Sequence, residues 1–314
     1  ILTARRWPPT WQLFIIAWPA FHLVYYGISF IKTMRYTVPA YPFMALLAAA
    51  FLYELWGRIG ARWPKYRWAG AIPILVVVLP TAFWAFAFTS TYTHTQTRIA
   101  ASEWIYANIP EGTPTLHEHW DDPIPLNLPN TPGSGAYPGS EIAMYDDDNP
   151  DKLDKLMQEL QDNDWIFVTS NRLYGSIPRI PERWPMATKY YEMLFDGELG
   201  FDLVHTETNY PSLFGITIND DSSEESFTVY DHPKVLIFQK NADFDADKVR
   251  AELAATLSGD FVRVKTVDAG KNQLMMSDEE RQIQQAGGTW SAIFNRTSFM
   301  NDHPVIVWYL ALQL

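Results

Sequence analysis

The chain has 314 residues, with 24 Lys/Arg against 36 Asp/Glu, a formal net charge of −12 and no cysteine. An acidic surface repels a phosphate backbone, so a nucleic-acid partner is not expected. The lack of cysteine excludes disulfides and thiolate metal sites. The average conceals a split: residues 1–90 carry eight Lys/Arg and one acid, Glu54, for +7, and residues 91–314 carry sixteen and thirty-five, for −19. Such asymmetry predicts two parts in two environments.

Three segments of about 20 residues are uncharged or nearly so, the length that a bilayer core requires. They run from Trp11 to Phe30, from Val38 to Gly57 and from Gly70 to Ser90. Cations mark the ends: Arg5 and Arg6 before the first, and Arg58, Arg62, Lys65 and Arg67 between the second and third. The positive-inside rule places both groups on the cytoplasmic side. Residues 31–37 and 91–302 then lie outside, in a multi-pass protein of the plasma membrane. Trp7, Trp11, Trp56, Trp63, Trp68 and Trp84 fall mostly near span ends, as interface anchors do. Glu54, four residues before Arg58, is expected to form an i,i+4 pair. His22 is expected to hydrogen-bond within the bundle.

Lys32 and Arg35, followed by Tyr36, occupy the outer hairpin at the depth of lipid phosphates. Lysine offers a point charge and arginine a fork, so together they could grip a phosphate. They could equally snorkel to ordinary headgroups. The run Arg35-Tyr36-Thr37-Val38-Pro39-Ala40-Tyr41-Pro42 through Leu47 resembles a segment of the membrane glycosyltransferases that use polyprenyl-phosphate sugars. These are relatives of the protein O-mannosyltransferases and of the aminoarabinose transferase of lipid A. Trp104-Ile105 with Asn108-Ile109-Pro110-Glu111-Gly112 resembles the start of the outer domain in bacterial members. Residues 172–183 and 227–235 look like versions fused to a further polytopic half.

The resemblance implies transfer of a sugar from a polyprenyl-phosphate donor to an extracytoplasmic acceptor, without a cofactor. Lys32, Arg35 and Tyr36 would hold the donor phosphate. The family's catalytic acid, an aspartate in the first outer loop, has no counterpart here, so no catalytic residue is assigned and the 314 residues alone are expected to be inactive. The chain starts at Ile1 and ends in an apolar run, 304–314, too short to cross a bilayer. That pattern is expected of an internal piece. The competing expectation is a polytopic protein without enzymatic activity, whose acidic outer domain binds or assembles.

The fold expected overall is transmembrane helices at 1–90, then an extracytoplasmic mixed α/β domain at 91–240. A helix and tether at 241–302 and a further membrane segment from 303 would follow. Helices are predicted at 97–107, 151–161, 183–195 and 244–257, the second with Leu153, Leu156, Met157 and Leu160 on one face. Strands are predicted at 113–117, 165–169, 201–205, 227–230 and 234–239, with residues 120–150 a long loop.

Four polar clusters stand out. His117 and His119 share a face of an extended segment, as metal ligands would, but no third ligand is placed, and no metal site is assigned. Asp146-Asp147-Asp148 precedes a helix. Asp243, Asp245 and Asp247 do too, and a calcium loop would need Gly and Glu where Lys248 and Ala254 stand. Both runs suit helix N-termini. Arg172, Arg179, Arg183 and Lys189, with Tyr174, Trp184, Tyr190 and Tyr191, form a cationic, aromatic island. Arg172, Arg179, Arg183 and Trp184 are candidate contacts for an acceptor or a lipid headgroup. Ion pairs and packed rings are the structural alternative.

Overall fold

A computed structural model describes residues 9–28, 33–181 and 183–257. Long apolar helices come first and a mixed α/β domain follows. The helices are α1 (Pro9–Gly27), α2 (Tyr41–Arg62) and α3 (Ala71–Thr89). Two helical stretches, Met34–Arg62 and Pro64–Asn108, are long and apolar enough to cross a membrane. The apolar part of α1, Leu13–Gly27, is shorter, and the rest of the first expected span, Ser29 and Phe30, lies outside the described residues. Local chemistry sets the boundaries. Pro42 stands in the first turn of α2, where a missing N–H costs nothing, and Pro64 follows its cap at Trp63. Gly70 lets the 64–70 turn reach α2, since a Cβ there would meet the Trp56 ring at 2.3 Å. Arg58 donates to Glu54 at 3.3 Å, the expected i,i+4 pair. Buried His22 bonds the Trp18 carbonyl through Nδ1 at 3.0 Å.

The domain begins at α4 (Thr97–Asn108). A five-stranded sheet in the order β2-β1-β3-β7-β4 forms its middle. Its strands are β1 (Thr115–Glu118), β2 (Gly139–Ile142), β3 (Trp165–Val168), β4 (Phe201–Glu207) and β7 (Val235–Lys240). The pairs β1–β2 and β1–β3 are parallel, and β7 runs antiparallel to both neighbours. Strand alternation sorts side chains into two cores. Ile166, Val168, Leu236 and Phe238 face α5 (Pro150–Asp162), α6 (Pro185–Asp196) and α8 (Ala246–Ala255). Trp165, Phe167, Val235 and Ile237 face α4 through Ala101 and Ile105. The result is a sheet with helices on both faces.

Three elements depart from expectation. Residues 227–230 are not a strand: α7 (Glu225–Thr228) ends within them and a turn follows, with Phe227 packed on α3. The expected loop 120–150 contains β2, which pairs with β1 from Thr115 to Glu118. A small hairpin, β5 (Ser212–Leu213) and β6 (Ile216–Thr217), was not foreseen. The expected helix near 244–257 is α8, which adds Val249 and Leu253 to the main core. The tether at 258–302 and the membrane segment from 303 lie outside the described residues.

Candidate functional site

The domain meets one end of the apolar helices, and polar side chains gather at that junction. The 33–40 turn joins α1 to α2 as two 3-10 turns, Met34–Tyr36 and Val38–Ala40. Trp18 Nε1 donates to the Pro39 carbonyl at 3.1 Å and pins the turn against α1. The domain side is α7 and the loop after it. Met34 N donates to Glu224 Oε2 at 3.2 Å, and the Thr33 and Ser226 hydroxyls lie 3.1 Å apart. The end of α3 docks beside them, with Trp84 stacked on Phe227 and Phe88 against both Phe227 and His232. Tyr92 OH donates to Asp231 at 2.5 Å.

Within this junction two arginines distant in sequence converge. Arg35 Nη1 donates to Tyr230 OH at 3.3 Å, and Arg172 Nη2 donates to the same oxygen at 3.4 Å. Arg172 follows β3, at the end where the parallel strands β1 and β3 finish, the edge at which open α/β sheets present ligands. Its Nε donates to Glu225 at 3.1 Å and its Nη1 to the Trp120 carbonyl. Trp120 has φ 79°, the left-handed region, and this turn swings its carbonyl to Arg172. Tyr230 is 59% exposed, so the residue that both guanidinium groups address lies at the surface. Arg35 also lies over the Tyr36 ring, and no carboxylate among the described residues forms a salt bridge with it. A phosphate oxygen would accept from the same donors through stronger, charge-assisted bonds.

Behind Arg172 lies a buried acidic pair. Asp121 accepts from Arg98 Nη2 at 2.9 Å and from the Ser170 hydroxyl. Glu118, at the end of β1, is fully enclosed, takes the Tyr191 hydroxyl on Oε1 and leaves Oε2 without a partner. Burial pushes its carboxyl up to about 8, against the lowering effect of Tyr191 and with help from the Asp121 charge. It is therefore protonated at neutral pH, and the pair carries one negative charge rather than two.

The other candidates are placed as follows. Tyr36 lies beside Arg35 and stacks on Tyr26 at 5.2 Å. Lys32 lies outside the described residues. Arg179 is exposed at the end of the 3-10 turn Ile177–Arg179. Arg183 covers the Trp184 ring at 4.2 Å, while Trp184 is buried and gives its indole N–H to the Tyr145 carbonyl at 3.1 Å. Tyr190 and Tyr191 belong to the core. The island therefore divides, and of its cations Arg172 is bonded at the junction. His117 and His119 flank Glu141 of β2, at 3.8 and 2.9 Å. Among the described residues, no three His, Asp or Glu side chains are grouped to hold a metal. Asp148 caps α6 rather than the helix it precedes, accepting from Met186 N and Ala187 N at 2.7 and 3.2 Å. Asn149 caps α5, and Asp245 caps α8 as expected of that run.

Sequence reasoning missed Tyr230 and Glu118. Tyr230 was hidden in a stretch read as strand. Glu118 had a usable signal: it shares parity with Leu116, a core residue, whereas His117 takes the other face. No family model, curated protein or solved structure matches the chain.

Proposed function

We propose that the chain is part of an integral-membrane glycosyltransferase that moves a sugar from a polyprenyl-phosphate donor to an extracytoplasmic acceptor. The observation that carries this is the convergence of Arg35 and Arg172 on the hydroxyl of the exposed Tyr230, where the apolar helices meet the domain. In this reading α2 and α3 span the membrane, and the domain sits on its outer side. A lipid-linked phosphate would lie at that level, its tail beside the helices. The exposed apolar sides of α2 and α3 support the placement, since Leu75 to Leu79 and Phe86 would face water without a bilayer.

The two guanidinium groups would replace their bonds to Tyr230 with bonds to the donor phosphate. Transfer breaks the bond between the sugar's anomeric carbon and the phosphate oxygen and forms one to the acceptor oxygen. Negative charge grows on the departing phosphate, and Arg35 and Arg172 would stabilise it as it develops. Glu225 holds Arg172 in place from the opposite side. No described residue is assigned to deprotonate the acceptor. Resemblance of residues 35–47 and 104–112 to the polyprenyl-phosphate-sugar enzymes supports the same chemistry.

The test is sugar transfer from a panel of polyprenyl-phosphate sugars in membranes that express the longer protein of which this chain is proposed to be part, with Arg35→Ala and Arg172→Ala beside it. Transfer that falls in both variants supports the assignment. Good expression with no transfer from any donor would sink it and leave a binding or assembly domain.

A further inference from the structure

We infer that the β5–β6 hairpin is a membrane-dipping wedge, whose Phe214 tip enters the lipid interface beside the outer end of α3. The inference rests on the membrane placement of α3 proposed above. Its first support is composition. Residues 208–219 contain no charged side chain, within a segment, 91–314, that carries a net −19. The tip reads Leu213-Phe214-Gly215-Ile216.

The second support is conformation. The pairs Ser212–Thr217 and Leu213–Ile216 leave a two-residue turn, Phe214-Gly215, with φ 53° and 80°. Positive φ at both central positions is the type I′ turn, whose first place favours Asn, Asp or Gly. A phenylalanine there is unfavourable for the backbone, and its ring gains nothing from the protein. Phe214 is 89% exposed, the most exposed of the large apolar side chains among the described residues, and Ile216 is exposed beside it. A ring held in a strained turn and pointed away from every neighbour suits a partner outside the chain.

The third support is position, and it selects lipid. Ser212 N donates to Ser90 Oγ at 2.9 Å, and Asn209 Nδ2 donates to the Thr91 carbonyl at 2.7 Å. These bonds fix the hairpin to the residues that end α3. The base of the hairpin is therefore held at the end of that helix, whose exposed apolar side chains include Phe86. Aromatic and aliphatic side chains at that level bury into the boundary between headgroups and acyl chains.

These 314 residues contain no cysteine, so a single one introduced among them gives a defined label site. Phe214→Cys and, separately, Ile216→Cys are labelled with a nitroxide in the whole protein. The protein is reconstituted in phosphatidylcholine–phosphatidylglycerol vesicles, and label accessibility is read with oxygen, which concentrates in lipid, and with a water-soluble nickel chelate. Val78→Cys, on the exposed side of α3, and Asp162→Cys are the references. Asp162 lies three residues before the start of β3, at the end of the sheet away from Arg172. The expected result is severalfold oxygen preference at 214 and 216, as at 78, with the chelate preferred at 162. Lipid exposure at 78 with chelate exposure at 214 and 216 would overturn the wedge alone. Chelate exposure at 78 would overturn the membrane placement and the wedge together. Shielding of 214 from both reagents would mean that protein covers the tip, which also overturns the inference.

Discussion

Arg35 and Arg172 donate to the same hydroxyl, that of Tyr230, although one belongs to the turn between apolar helices and the other to the loop after β3. Neither charge is committed to the phenol, which is neutral and exposed. If both serve a donor phosphate, Arg35→Ala and Arg172→Ala each lower the transfer rate at least tenfold, about 1.4 kcal/mol of barrier. Tyr230→Phe should cost less than either, because the phenol only occupies the place of the phosphate. Initial rates at saturating donor decide this. A Tyr230→Phe loss as large as the arginine losses would give the phenol a direct role instead.

Glu118 makes stability depend on pH. The folded protein keeps its proton up to about pH 8, whereas the unfolded chain releases it near the ordinary value of 4.5. Between these values the folded state binds more protons, so its stability falls as pH rises. Glu118→Gln keeps an acceptor for Tyr191 and removes the titration. Thermal midpoints of wild type and variant should therefore diverge from pH 5 to pH 8 in favour of the variant. The ceiling is on the order of several kcal/mol, given the burial. Parallel curves would mean that Glu118 is ionised and solvated.

Asp148 holds two elements at once. Its Oδ2 caps α6, and its Oδ1 takes Lys152 Nζ at 2.7 Å; that ammonium also donates to the Met144 and Asp146 carbonyls. Asp148→Ala removes a cap and strands a buried cation, and about 3 kcal/mol or more of stability should go with it. Asp148→Asn retains one acceptor and should lose less. Denaturant unfolding followed by tryptophan fluorescence measures both.

Gly200 lets the segment that leads into α8 pack against the start of β4. It sits at φ 82°, and a Cβ there would come within 2.5 Å of the Phe244 backbone. Gly200→Ala should cost at least about 2 kcal/mol, from the positive φ and from displacing the segment that leads into α8. Gly197, also at positive φ but with open space around it, is the control: Gly197→Ala should lose only the conformational part.

Much of the architecture was legible in short patterns. Leu153, Leu156, Met157 and Leu160 announced α5, and all four are buried in it. Trp165-Ile166-Phe167-Val168 announced a strand, buried on both faces as read. The Glu54–Arg58 pair and the cap at Asp245 followed from spacing alone. The exception at 227–230 is instructive. Phe227-Thr228-Val229-Tyr230 has strand-forming residues, but docking of Phe227 on Trp84 and Phe88 favours a helical turn there.

The sequence by itself determined the charge divide at residue 90, the apolar segments and the alternation of helix and strand. These depend on composition and on contacts a few residues apart, which periodicity records. Only the tertiary structure decided that Arg35 meets Arg172, that Arg183 and Trp184 turn to each other, and that Glu118 is sealed beside Asp121. Those outcomes depend on strand order and on which end of the domain docks to the helices. A site built from the 33–40 turn, the ends of β1 and β3, and the loop after α7 joins residues that no local pattern links. It exists because burying Phe227 against α3 brings Tyr230 between the two arginines.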